Sequence, residues 1–376
     1  MKRTLLITLD FYPQTGGIAQ YWKHLGVFFD SQKWVVLAPL LPLGVRELEV
    51  PYRIIRKNFF SRWLFPRWIK LFFLILFIVK KERIEMVVVS HLLPVGTVLW
   101  FCNFFVKIHY VIVSHGMDAT LPRTNARKKI LCKMILKNAE KCIANSEQTT
   151  HNLMALGCPK KKITTIYPCP SLDCSDTDTS TFDSKGLFEK LAGKSVLLSV
   201  SRLVQRKGHE FILQALPSIQ THIPDSVYVI IGDGPYRAYL EQKVIELGLG
   251  NYVFFCGELR GKALCDWYSR CDLFILTPYE LSNRDTEGFG MVYLEANSFE
   301  KPVIGSICGG VPDAIIDGET GLLVDQKNSE QIAKSAIKLL ENLFLAKKLG
   351  LNGKIRVQKE FQWKQTAKKY KQILTD

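Results

Sequence analysis

Short apolar runs recur along the chain and alternate with segments in which apolar residues return every three or four positions. In the first half the runs are Thr4–Leu9, Trp34–Ala38, Met86–Val89, Tyr110–Val113 and Lys141–Ala144. In the second half they are Ser195–Val200, Val227–Ile231, Tyr252–Phe255, Leu273–Leu276, Pro302–Ile304 and Gly321–Val324. Apolar strands separated by helices are typical of βαβ units, in which helices cover both faces of a parallel sheet. The pattern predicts an α/β fold.

The alternation is interrupted between Pro168 and Ser184, where the chain is rich in Pro, Ser, Thr and Asp. Such a composition without an apolar period is typical of a linker. We therefore expect two Rossmann-like domains, residues 1–168 and 185–358, joined by a linker at 169–184. Open parallel sheets bind ligands beyond the carboxyl ends of their strands, so we expect the site where two such domains face each other.

The composition is that of a globular protein, because 47% of the residues are hydrophobic and 23% are charged. This excludes a disordered chain, a collagen and a small disulfide-linked scaffold. The ten cysteines form no C-x-x-C pair and show no zinc-ligand spacing. The apolar N-terminal run ends at Asp10, too early for a signal peptide. We expect a cytoplasmic, reduced protein whose cysteines are small apolar fillers.

Basic residues are concentrated in the first half of the chain. The net charge is +15, from 50 Lys and Arg against 35 Asp and Glu. Residues 1–170 hold 25 basic and 9 acidic residues, whereas residues 171–376 hold 25 and 26. Eight basic residues and no acidic residue lie between Val50 and Lys81. A one-sided positive field attracts a polyanion, which is either nucleic acid or an anionic membrane.

The residues between these charges favour a membrane. Trp63, Phe65 and Trp68 precede nine consecutive apolar residues, Leu71–Val79. A surface for base stacking would place single aromatic residues among polar ones, whereas Trp with Lys or Arg beside an apolar segment suits lipid headgroups. The alternative is a buried helix of the α/β domain with a solvated basic end. We expect contact with an anionic membrane and no binding of nucleic acid.

Two further apolar segments bear on a membrane. A helix predicted over 125–138 sets a lysine face against an apolar face; the lysines are Lys129, Lys133 and Lys137, and the apolar residues are Ile130, Leu131, Met134 and Ile135. Val87–Val106 has no charged residue over a length that could span a bilayer. Ser90-His91 interrupts it, so we expect a buried strand at Met86–Val89 and a separate helix at Pro94–Val106.

Glycine-containing turns follow strands in the first half. Gly16 and Gly17 come after the first strand, where glycine lets backbone N–H groups approach a ligand. An ordinary strand–helix turn explains the same pair equally well. His115 lies at the carboxyl end of the fourth strand, and is either a site residue or a hydrogen-bonded structural histidine.

The second half carries more candidates at strand ends. Arg202 and Lys207 follow the first strand of the second domain, and paired cations there suit a diphosphate. Gly232 and Gly234 form a tight turn after the next strand. In a parallel sheet these segments lie at the same edge.

A pair of glutamates eight positions apart carries the most specific signal. Glu287 lies in a glycine-containing loop and Glu295 in the helix that follows. Each carboxylate can accept hydrogen bonds from sugar or ribose hydroxyls. The backbone N–H groups at the predicted helix start would face an anion; they belong to Phe289, Gly290, Met291 and Val292.

Glu287 to Glu295, with Gly288 and Gly290 between them, resembles the E-x7-E motif of retaining GT-B glycosyltransferases of family 4. The resemblance covers nearly the whole chain. Its other motifs are Gly16-Gly17-Ile18, His115-Gly116, Ser201-Arg202, Lys207-Gly208, Gly232-Asp233-Gly234-Pro235, Cys308–Asp313 and Asp317–Gly321. It implies two facing Rossmann-like domains with parallel sheets, and a C-terminal helix at 359–376 that returns to the N-terminal domain.

The resemblance also implies a role for each matching residue. Arg202 and Lys207 would bind the donor diphosphate and stabilise the leaving charge. Glu287 would hold the hydroxyls of the donor sugar and Glu295 those of the ribose, and His115 would complete the catalytic set near the sugar. The other implied donor-binding residues are Gly16, Gly17, Gly232, Gly234, Phe289, Gly290, Met291 and Val292.

The family mechanism implies no tightly bound cofactor and no required divalent metal. Asp176-Thr177-Asp178 spells a metal-binding D-x-D, but it lies in the predicted linker and we interpret it as solvated. The loop Leu281–Thr286 and the segment Phe11-Tyr12-Pro13 are similar to those of GDP-mannose-dependent mannosyltransferases that act on phosphatidylinositol mannosides.

These features predict a retaining hexosyltransferase, cytoplasmic and held at the inner face of a membrane, that moves a sugar from a nucleotide-sugar to a lipid or lipid-linked glycan. Mannose from GDP-mannose is the first expectation, and a UDP-sugar used in glycolipid or cell-surface polysaccharide synthesis is the second. The remaining alternatives are a nucleotide-sugar epimerase, which would not need the basic N-terminal half, and a membrane-binding module without activity, which would not need the glutamate pair.

Overall fold

The computed structural model of the protein describes residues 1–14, 16–42, 47, 49–61, 63, 65–175 and 182–375. Asp176-Thr177-Asp178 and Thr15 lie outside the described residues. The chain divides into two compact units. Unit 1 comprises Met1–Cys169 and Gln362–Asp376, and unit 2 comprises Pro170–Phe361.

Both units consist of parallel strands joined by helices. The strands are β1 Thr4–Ile7, β2 Trp34–Ala38, β3 Arg53–Arg56, β4 Met86–Val89, β5 Tyr110–Ser114, β6 Lys141–Ala144, β7 Ile163–Thr165, β8 Ser195–Val200, β9 Ser226–Ile231, β10 Val253–Phe255, β11 Leu273–Ile275, β12 Val303–Ser306 and β13 Leu322–Val324. The helices are α1 Gly17–Gly26, α2 Ile69–Lys81, α3 Val95–Cys102, α4 Met117–Thr120, α5 Ala126–Asn138, α6 Glu147–Ala155, α7 Ser184–Lys190, α8 His209–His222, α9 Arg237–Glu246, α10 Gly261–Arg270, α11 Met291–Ser298, α12 Val311–Ala314, α13 Ser329–Glu341, α14 Leu343–Glu360 and α15 Trp363–Ile373.

Unit 1 contains a parallel sheet whose described strands run in the order β3-β2-β1-β4-β5-β6-β7. Successive side chains of a strand point to opposite faces. Leu5 and Ile7 of β1 therefore pack in the core formed with α2, α3 and α5, while Leu6 packs in a second core with α1. Because helices cover both faces, the central strands are apolar throughout, as the short uninterrupted runs indicated.

The C-terminal helix α15 belongs to unit 1. Ala367 and Tyr370 pack in the same core as Trp22 of α1. The hydroxyl of Tyr21 donates a hydrogen bond to the hydroxyl of Tyr370 at 2.7 Å, and both groups are buried. The chain thus returns to its first unit after completing the second.

Unit 2 contains a second parallel sheet, with its described strands in the order β10-β9-β8-β11-β12-β13. One of its faces is covered by α8 and α13, so that Leu197 of β8 packs with Ile212 of α8 and Ile332 of α13. The carboxyl ends of all these strands point the same way and carry the loops of the candidate site.

Every predicted strand is present, with ends shifted by at most two residues, but β3 and β7 were not predicted. Both lie at the edges of the first sheet. Arg53–Arg56 has an arginine at each end, and none of the residues of Ile163–Thr165 is fully buried. An edge strand buries little apolar area, so it lacks the continuous apolar run that marks a central strand.

The expectation that all cysteines are unpaired is wrong at one pair. A disulfide joins Cys174 to Cys265 of α10, within unit 2. The other eight cysteines are buried and not disulfide-bonded, as expected of apolar fillers. The bonded pair is 91 positions apart, so no local spacing could indicate it.

Two helix predictions also need correction. On α5 the buried residues are Cys132, Ile135 and Leu136, while Ile130 and Met134, assigned to the apolar face, are exposed. The helix predicted at Pro94–Val106 is α3, which already ends at Cys102. Among the described residues, no helix combines the length and the apolar character needed to cross a bilayer.

Helix α14 packs against the turn after α11 so closely that there is no room for a side chain at Gly350. A Cβ built on Gly350 would lie 1.9 Å from the backbone oxygen of Glu300. Alanine would gain about 1 kcal/mol of helix propensity. A backbone oxygen cannot rotate away, however, and overpacking costs about 1–3 kcal/mol. We expect Gly350→Ala to lower the free energy of unfolding of unit 2, measured by urea denaturation.

Gly250→Ala is the matched control, because a Cβ there would meet nothing within 4 Å. It should leave the denaturation midpoint nearly unchanged. Equal midpoints for both variants would contradict the close packing of α14 on the backbone of Glu300.

Candidate active site

Loops at the carboxyl ends of β8, β9 and β11 pack backbone against backbone. Gly208 closes the turn after β8 in a left-handed conformation, where a Cβ would lie 1.9 Å from the oxygen of Thr277. Gly232, after β9, would place a Cβ 1.9 Å from the oxygen of Ser201. Only glycine fits at either position. The close approach brings residues 201–208 beside the loop that precedes α11.

The centre of the site is the carboxylate of Glu287. Its Oε2 atom accepts hydrogen bonds from Lys207 Nζ at 2.6 Å and from Arg206 Nη1 at 2.8 Å. The side chains of Glu287 and Lys207 are each only 11% exposed. No hydrogen-bond partner is found for Oε1 among the described residues. One oxygen is therefore held by two cations, and the other is available to a ligand.

The surrounding charges determine the protonation of this group. Burial disfavours the carboxylate, but the charges and hydrogen bonds of Lys207 and Arg206 outweigh it and lower the pKa of Glu287 to about 2. Burial lowers the pKa of Lys207, and the charges of Arg206 and Arg202 act in the same direction against the opposing effect of Glu287. Glu287 is thus ionised at neutral pH and acts as a hydrogen-bond acceptor.

Helix α11 begins directly after this loop. Gly290 is the N-cap in a left-handed conformation, and the helix starts at Met291. The N–H groups of Met291 and Val292 have no partner within the helix, and the helix dipole favours an anion beside them. The backbone oxygen of Glu287 accepts a hydrogen bond from the N–H of Gly310 at 3.0 Å. The loop is therefore also anchored to the segment that follows β12.

Glu295 lies on the buried side of α11. The hydroxyl of Tyr268 donates to its Oε2 at 2.9 Å, and the backbone N–H of Ser171 also donates to its carboxylate. Burial raises the pKa of Glu295 despite these bonds. A carboxylate has about four acceptor positions, so Glu295 can still accept bonds from a ligand diol.

Arg202 and the Gly232–Gly234 turn lie next to each other. The N–H of Leu203 donates to the oxygen of Asp233 at 2.8 Å, and a Cβ on Gly234 would lie 2.3 Å from the oxygen of Leu203. Arg202 itself is exposed, and its positive charge reaches Lys207. Arg202, Lys207 and Glu287 are thus brought together at the carboxyl-terminal edge of the second sheet. Phe289, two residues before the first residue of α11, is buried.

Two residues of this cluster were not predicted. Arg206 pairs with Glu287, and its Nε lies 3.5 Å from Oδ2 of Asp285. The sequence signal that could have indicated them is position: Arg206 directly precedes Lys207, and Asp285 lies two residues before Glu287. The pairing joins positions 81 residues apart, so it could not be inferred from spacing.

In unit 1, His115 is part of a buried hydrogen-bond network. Its Nε2 is 3.1 Å from Oγ of Ser90, which also accepts a bond from Trp22 Nε1 at 2.7 Å. Its backbone N–H donates to Asp118 Oδ1 at 3.0 Å. Burial, with a contribution from His91, lowers the pKa of His115 to about 3. The imidazole is therefore neutral near pH 7.

A second unpredicted pair lies at this edge of unit 1. His91 Nε2 is 3.0 Å from Oδ2 of Asp10, and the N–H of Leu9 lies 3.4 Å from His91 Nδ1. Asp10 follows β1, and the same strand end leads into Gly16 and Gly17, where α1 begins.

Among the described residues, no group of three or more His, Cys, Asp or Glu could hold a metal ion. That the reaction requires no divalent metal stays a prediction.

Two family models match the chain in succession. A Glycosyltransferase Family 4 model matches residues 15–173, and a Glycosyl transferases group 1 model matches residues 184–356. The chain belongs to the family 4 glycosyltransferases. The predicted membership in this hexosyltransferase family is confirmed. The matched segments contain the candidate site residues of both units.

Curated relatives include lipid-directed mannosyltransferases. The GDP-mannose-dependent alpha-(1-6)-phosphatidylinositol monomannoside mannosyltransferase of Mycolicibacterium smegmatis is 30% identical over 186 residues, 49% of each chain. The match thus spans about half the length of that relative. A GDP-mannose-dependent monoacylated alpha-(1-6)-phosphatidylinositol monomannoside mannosyltransferase of Corynebacterium glutamicum is 24% identical over 99% of this chain and 98% of that protein. N-acetyl-alpha-D-glucosaminyl L-malate synthase of Bacillus anthracis is 23% identical over 99% and 97%.

Solved structures show the fold. Anabaena HepE, crystallised with UDP and glucose, has a TM-score of 0.79 at 18% identity and covers 100% of both chains. Sucrose-phosphate synthase from Thermosynechococcus elongatus has a TM-score of 0.81 at 23% identity, covering 100% of this chain and 98% of that one. The predicted α/β architecture of two Rossmann-like domains of the GT-B type is confirmed.

The ion pairs of Glu287 predict a pH-dependent stability. Glu287→Gln leaves two cations without their buried counter-charge, and breaking a buried pair costs about 3–5 kcal/mol. In the folded protein the pKa of the Glu287 carboxyl is about 2, below its ordinary value of 4.5. The stabilisation is therefore present above about pH 4.5 and is lost as the pH falls through 2. We expect the difference in the free energy of unfolding between wild type and variant, measured by urea denaturation, to become smaller as the pH is lowered from 7 to 3.

Glu189→Gln is the control, since Glu189 is exposed on α7. Its effect on the free energy of unfolding should be small at every pH. A difference between wild type and Glu287→Gln that stays constant down to pH 3 would contradict the assigned ion pairs.

Proposed function

We propose that this protein is a retaining hexosyltransferase that moves a sugar from a nucleotide-sugar to a lipid or lipid-linked glycan. The observation that carries the proposal is the Glu287 carboxylate, held on one oxygen by Lys207 and Arg206 beside the first turn of α11. Cations and helix N–H groups suit a diphosphate, and the open carboxylate oxygen suits sugar hydroxyls. A nucleotide-sugar presents both groups side by side.

Each residue then has a role in the transfer. Arg202 and Lys207 bind the diphosphate and stabilise the charge that develops as it leaves. Glu287 accepts hydrogen bonds from the donor sugar through Oε1. Glu295 holds the ribose through the acceptor positions left by Tyr268. The first N–H groups of α11 contact the phosphates and the sugar.

The protonation states support transfer on the face from which the diphosphate leaves. Glu287 has a pKa of about 2 and is held by two cations, so it is a weak base and a weak nucleophile. His115 has a pKa of about 3, so it takes up no proton near pH 7. We therefore assign the acceptor proton to the donor's own leaving phosphate. Attack on that same face retains the anomeric configuration.

The donor is GDP-mannose in this proposal. Its support is the similarity to relatives named as GDP-mannose-dependent mannosyltransferases, one of them over nearly the whole chain. A UDP-sugar is the second candidate. It is favoured by the fold shared with HepE, which was crystallised with UDP.

Nucleotide binding tests the donor assignment. A ligand at 100 times its dissociation constant stabilises the native state by about 2.7 kcal/mol. We expect GDP and GDP-mannose to raise the melting temperature of the purified protein more than UDP and UDP-glucose at equal concentration. Lys207→Met should lose most of this shift because it removes a phosphate-binding charge.

Lys262→Ala is the matched control, since Lys262 is an exposed lysine of α10 paired with Asp266. It should retain the full shift. A larger shift with UDP would change the assigned donor to a UDP-sugar and leave the assigned site unchanged. No shift with any nucleotide would contradict the proposed enzyme activity.

The acceptor half of the proposal rests on a partly exposed aromatic patch of unit 1, formed by α2 with its N-cap residue, by α3 and by the residues that follow α3. The patch comprises Trp68, Phe72, Phe73, Phe77, Trp100, Phe101, Phe104 and Phe105. Trp68 stacks on Phe101 at 5.3 Å and Phe72 meets Phe105 edge-on at 5.5 Å between ring centroids, which joins the two elements. Phe104 is 67% exposed and Phe105 is 71% exposed. Aromatic clusters on a protein surface mark interaction sites.

Exposed basic residues lie beside this patch along the chain. They are Arg67, Lys70, Lys80, Lys81 and Lys107. Lys81 Nζ lies 5.4 Å from the ring centre of Phe77. The next acidic residue along the chain, Glu82, is buried and paired with Arg3 and Arg53. The outward charge at the patch is therefore positive.

An anionic bilayer fits this combination of surface chemistry. Aromatic side chains enter the headgroup region, and each nearby basic residue adds about 1 kcal/mol at an anionic surface. Several such contributions suffice for reversible attachment. We therefore propose that the protein is a peripheral protein of the cytoplasmic membrane face, where a lipid-linked acceptor is presented, and that it binds no nucleic acid.

Vesicle binding tests the membrane contact. The triple variant Phe73→Ser, Phe104→Ser, Phe105→Ser should bind vesicles of phosphatidylglycerol and phosphatidylcholine at least about tenfold more weakly, because exposed rings no longer transfer from water. Co-sedimentation at low and high salt measures this. Wild-type binding should fall with salt, since exposed charges are screened.

Phe344→Ser is the control, since Phe344 is an 80% exposed phenylalanine of unit 2. It should leave vesicle binding unchanged. Equal binding by the triple variant and wild type would contradict the patch as the contact surface.

A further inference from the structure

Arg206 and Lys207 bind the same oxygen of Glu287 but are restrained differently. Arg206 donates through Nη1 to Glu287 and places Nε 3.5 Å from Asp285, and its backbone oxygen accepts a bond from the N–H of Tyr279 at 2.9 Å. Among the described residues, Glu287 is the partner found for Lys207 Nζ. The guanidinium is held from two sides and the ammonium from one.

This difference matters if Lys207 also binds a diphosphate, as the proposed function requires. An ammonium is a point charge on a flexible stem, and its three protons can be shared between phosphate and carboxylate. Its pull on Glu287 then weakens in the step in which Oε1 must bind the donor sugar. Arg206 has a planar fork and its side chain is only 16% exposed, so it can keep its hydrogen bond to Oε2.

Asp285 is presented to Arg206 by a loop that closes on itself. The N–H of Leu281 donates to the oxygen of Asp285 at 3.0 Å, and the N–H of Arg284 donates to the oxygen of Leu281 at 2.8 Å. Asn283 Oδ1 accepts a bond from the N–H of Asp285 at 2.9 Å. Asp285 lies two residues before Glu287, and these bonds hold its backbone in place beside the Arg206 guanidinium.

Asp285 is a costly residue at this place. Its Oδ1 atom is buried and lacks a hydrogen-bond partner among the described residues. Burial raises the pKa of Asp285, with the charge of Arg206 opposing the shift. A buried acceptor without a bond is unfavourable for folding. Stability alone therefore does not account for a carboxylate here, whereas orientation of Arg206 does.

We infer that Arg206, oriented by Asp285, is the positioning residue that holds Glu287 in place for the donor sugar while Lys207 engages the diphosphate. This inference rests on the proposed function. Arg206 acts through Glu287 and does not touch the reacting atoms. Its contribution is therefore specific to the sugar half of the donor.

The test compares a nucleoside diphosphate with the nucleotide-sugar that carries a sugar on its terminal phosphate. Isothermal titration calorimetry gives the dissociation constants of GDP and GDP-mannose, or of UDP and UDP-glucose if uridine nucleotides bind better. The measured quantity is the ratio of the constant for the nucleoside diphosphate to that for the nucleotide-sugar. Loss of positive charge weakens both ligands, and it weakens the more highly charged nucleoside diphosphate at least as much as the nucleotide-sugar. Loss of charge alone therefore cannot lower the ratio.

Arg206→Ala should lower this ratio about tenfold, the scale of one hydrogen bond to a charged group. Arg206→Lys keeps the charge but loses the fork, so it should lower the ratio by less. Asp285→Asn keeps the shape and should fall between wild type and Arg206→Ala. If Arg206→Ala does not fold, the two conservative variants carry the test.

Arg356→Ala is the matched control. Arg356 is similarly buried in unit 2 and pairs with Glu360 of its own helix, α14. It should lose stability and keep the wild-type ratio. An unchanged ratio in all three site variants, with nucleotide binding intact in wild type, would overturn the inference alone. Failure of wild type to bind any nucleotide would overturn the proposed function, and the inference with it.

Discussion

The ion pairs of Glu287 with Lys207 and Arg206 connect the loops of unit 2. The cations follow β8, the carboxylate follows β11, and its backbone oxygen is bound by Gly310 after β12. Charges this buried are tolerated only when each is compensated, so the loops must adopt one geometry for the cluster to exist. The same requirement leaves one carboxylate oxygen facing a possible ligand. Stability and the proposed recognition of the donor sugar therefore depend on one group.

The two units use different physical means at their candidate functional surfaces. Unit 2 buries charged groups at the ends of its strands, where low polarity strengthens their interactions. Unit 1 exposes aromatic rings at α2 and after α3, and exposed lysines and arginines lie beside them along the chain. Exposed apolar surface is unfavourable in water, so such a patch indicates a partner that covers it. The proposed membrane contact would also account for the concentration of positive charge in the first half of the chain.

The candidate site was only partly predictable. Glu287, Lys207 and Arg202 stand in short motifs at strand ends, and a parallel sheet collects its strand ends at one edge. Arg206, Asp285, Asp10 and His91 stand in the same segments, but their importance comes from pairing. Asp10 and His91 are 81 positions apart, as are Arg206 and Glu287. Which side chains meet across two loops depends on loop conformation, which local patterns do not encode.

The sequence by itself determined the class of fold, because periodicity and turn chemistry are properties of neighbouring residues. The predicted strands lie within two residues of the observed ones. Only the tertiary structure decided which strands form the edges, which face of α5 is buried and that Cys174 pairs with Cys265. It also decided that Glu287 binds the two cations Lys207 and Arg206. Each of these depends on contacts between distant parts of the chain, which form only when the sheets assemble.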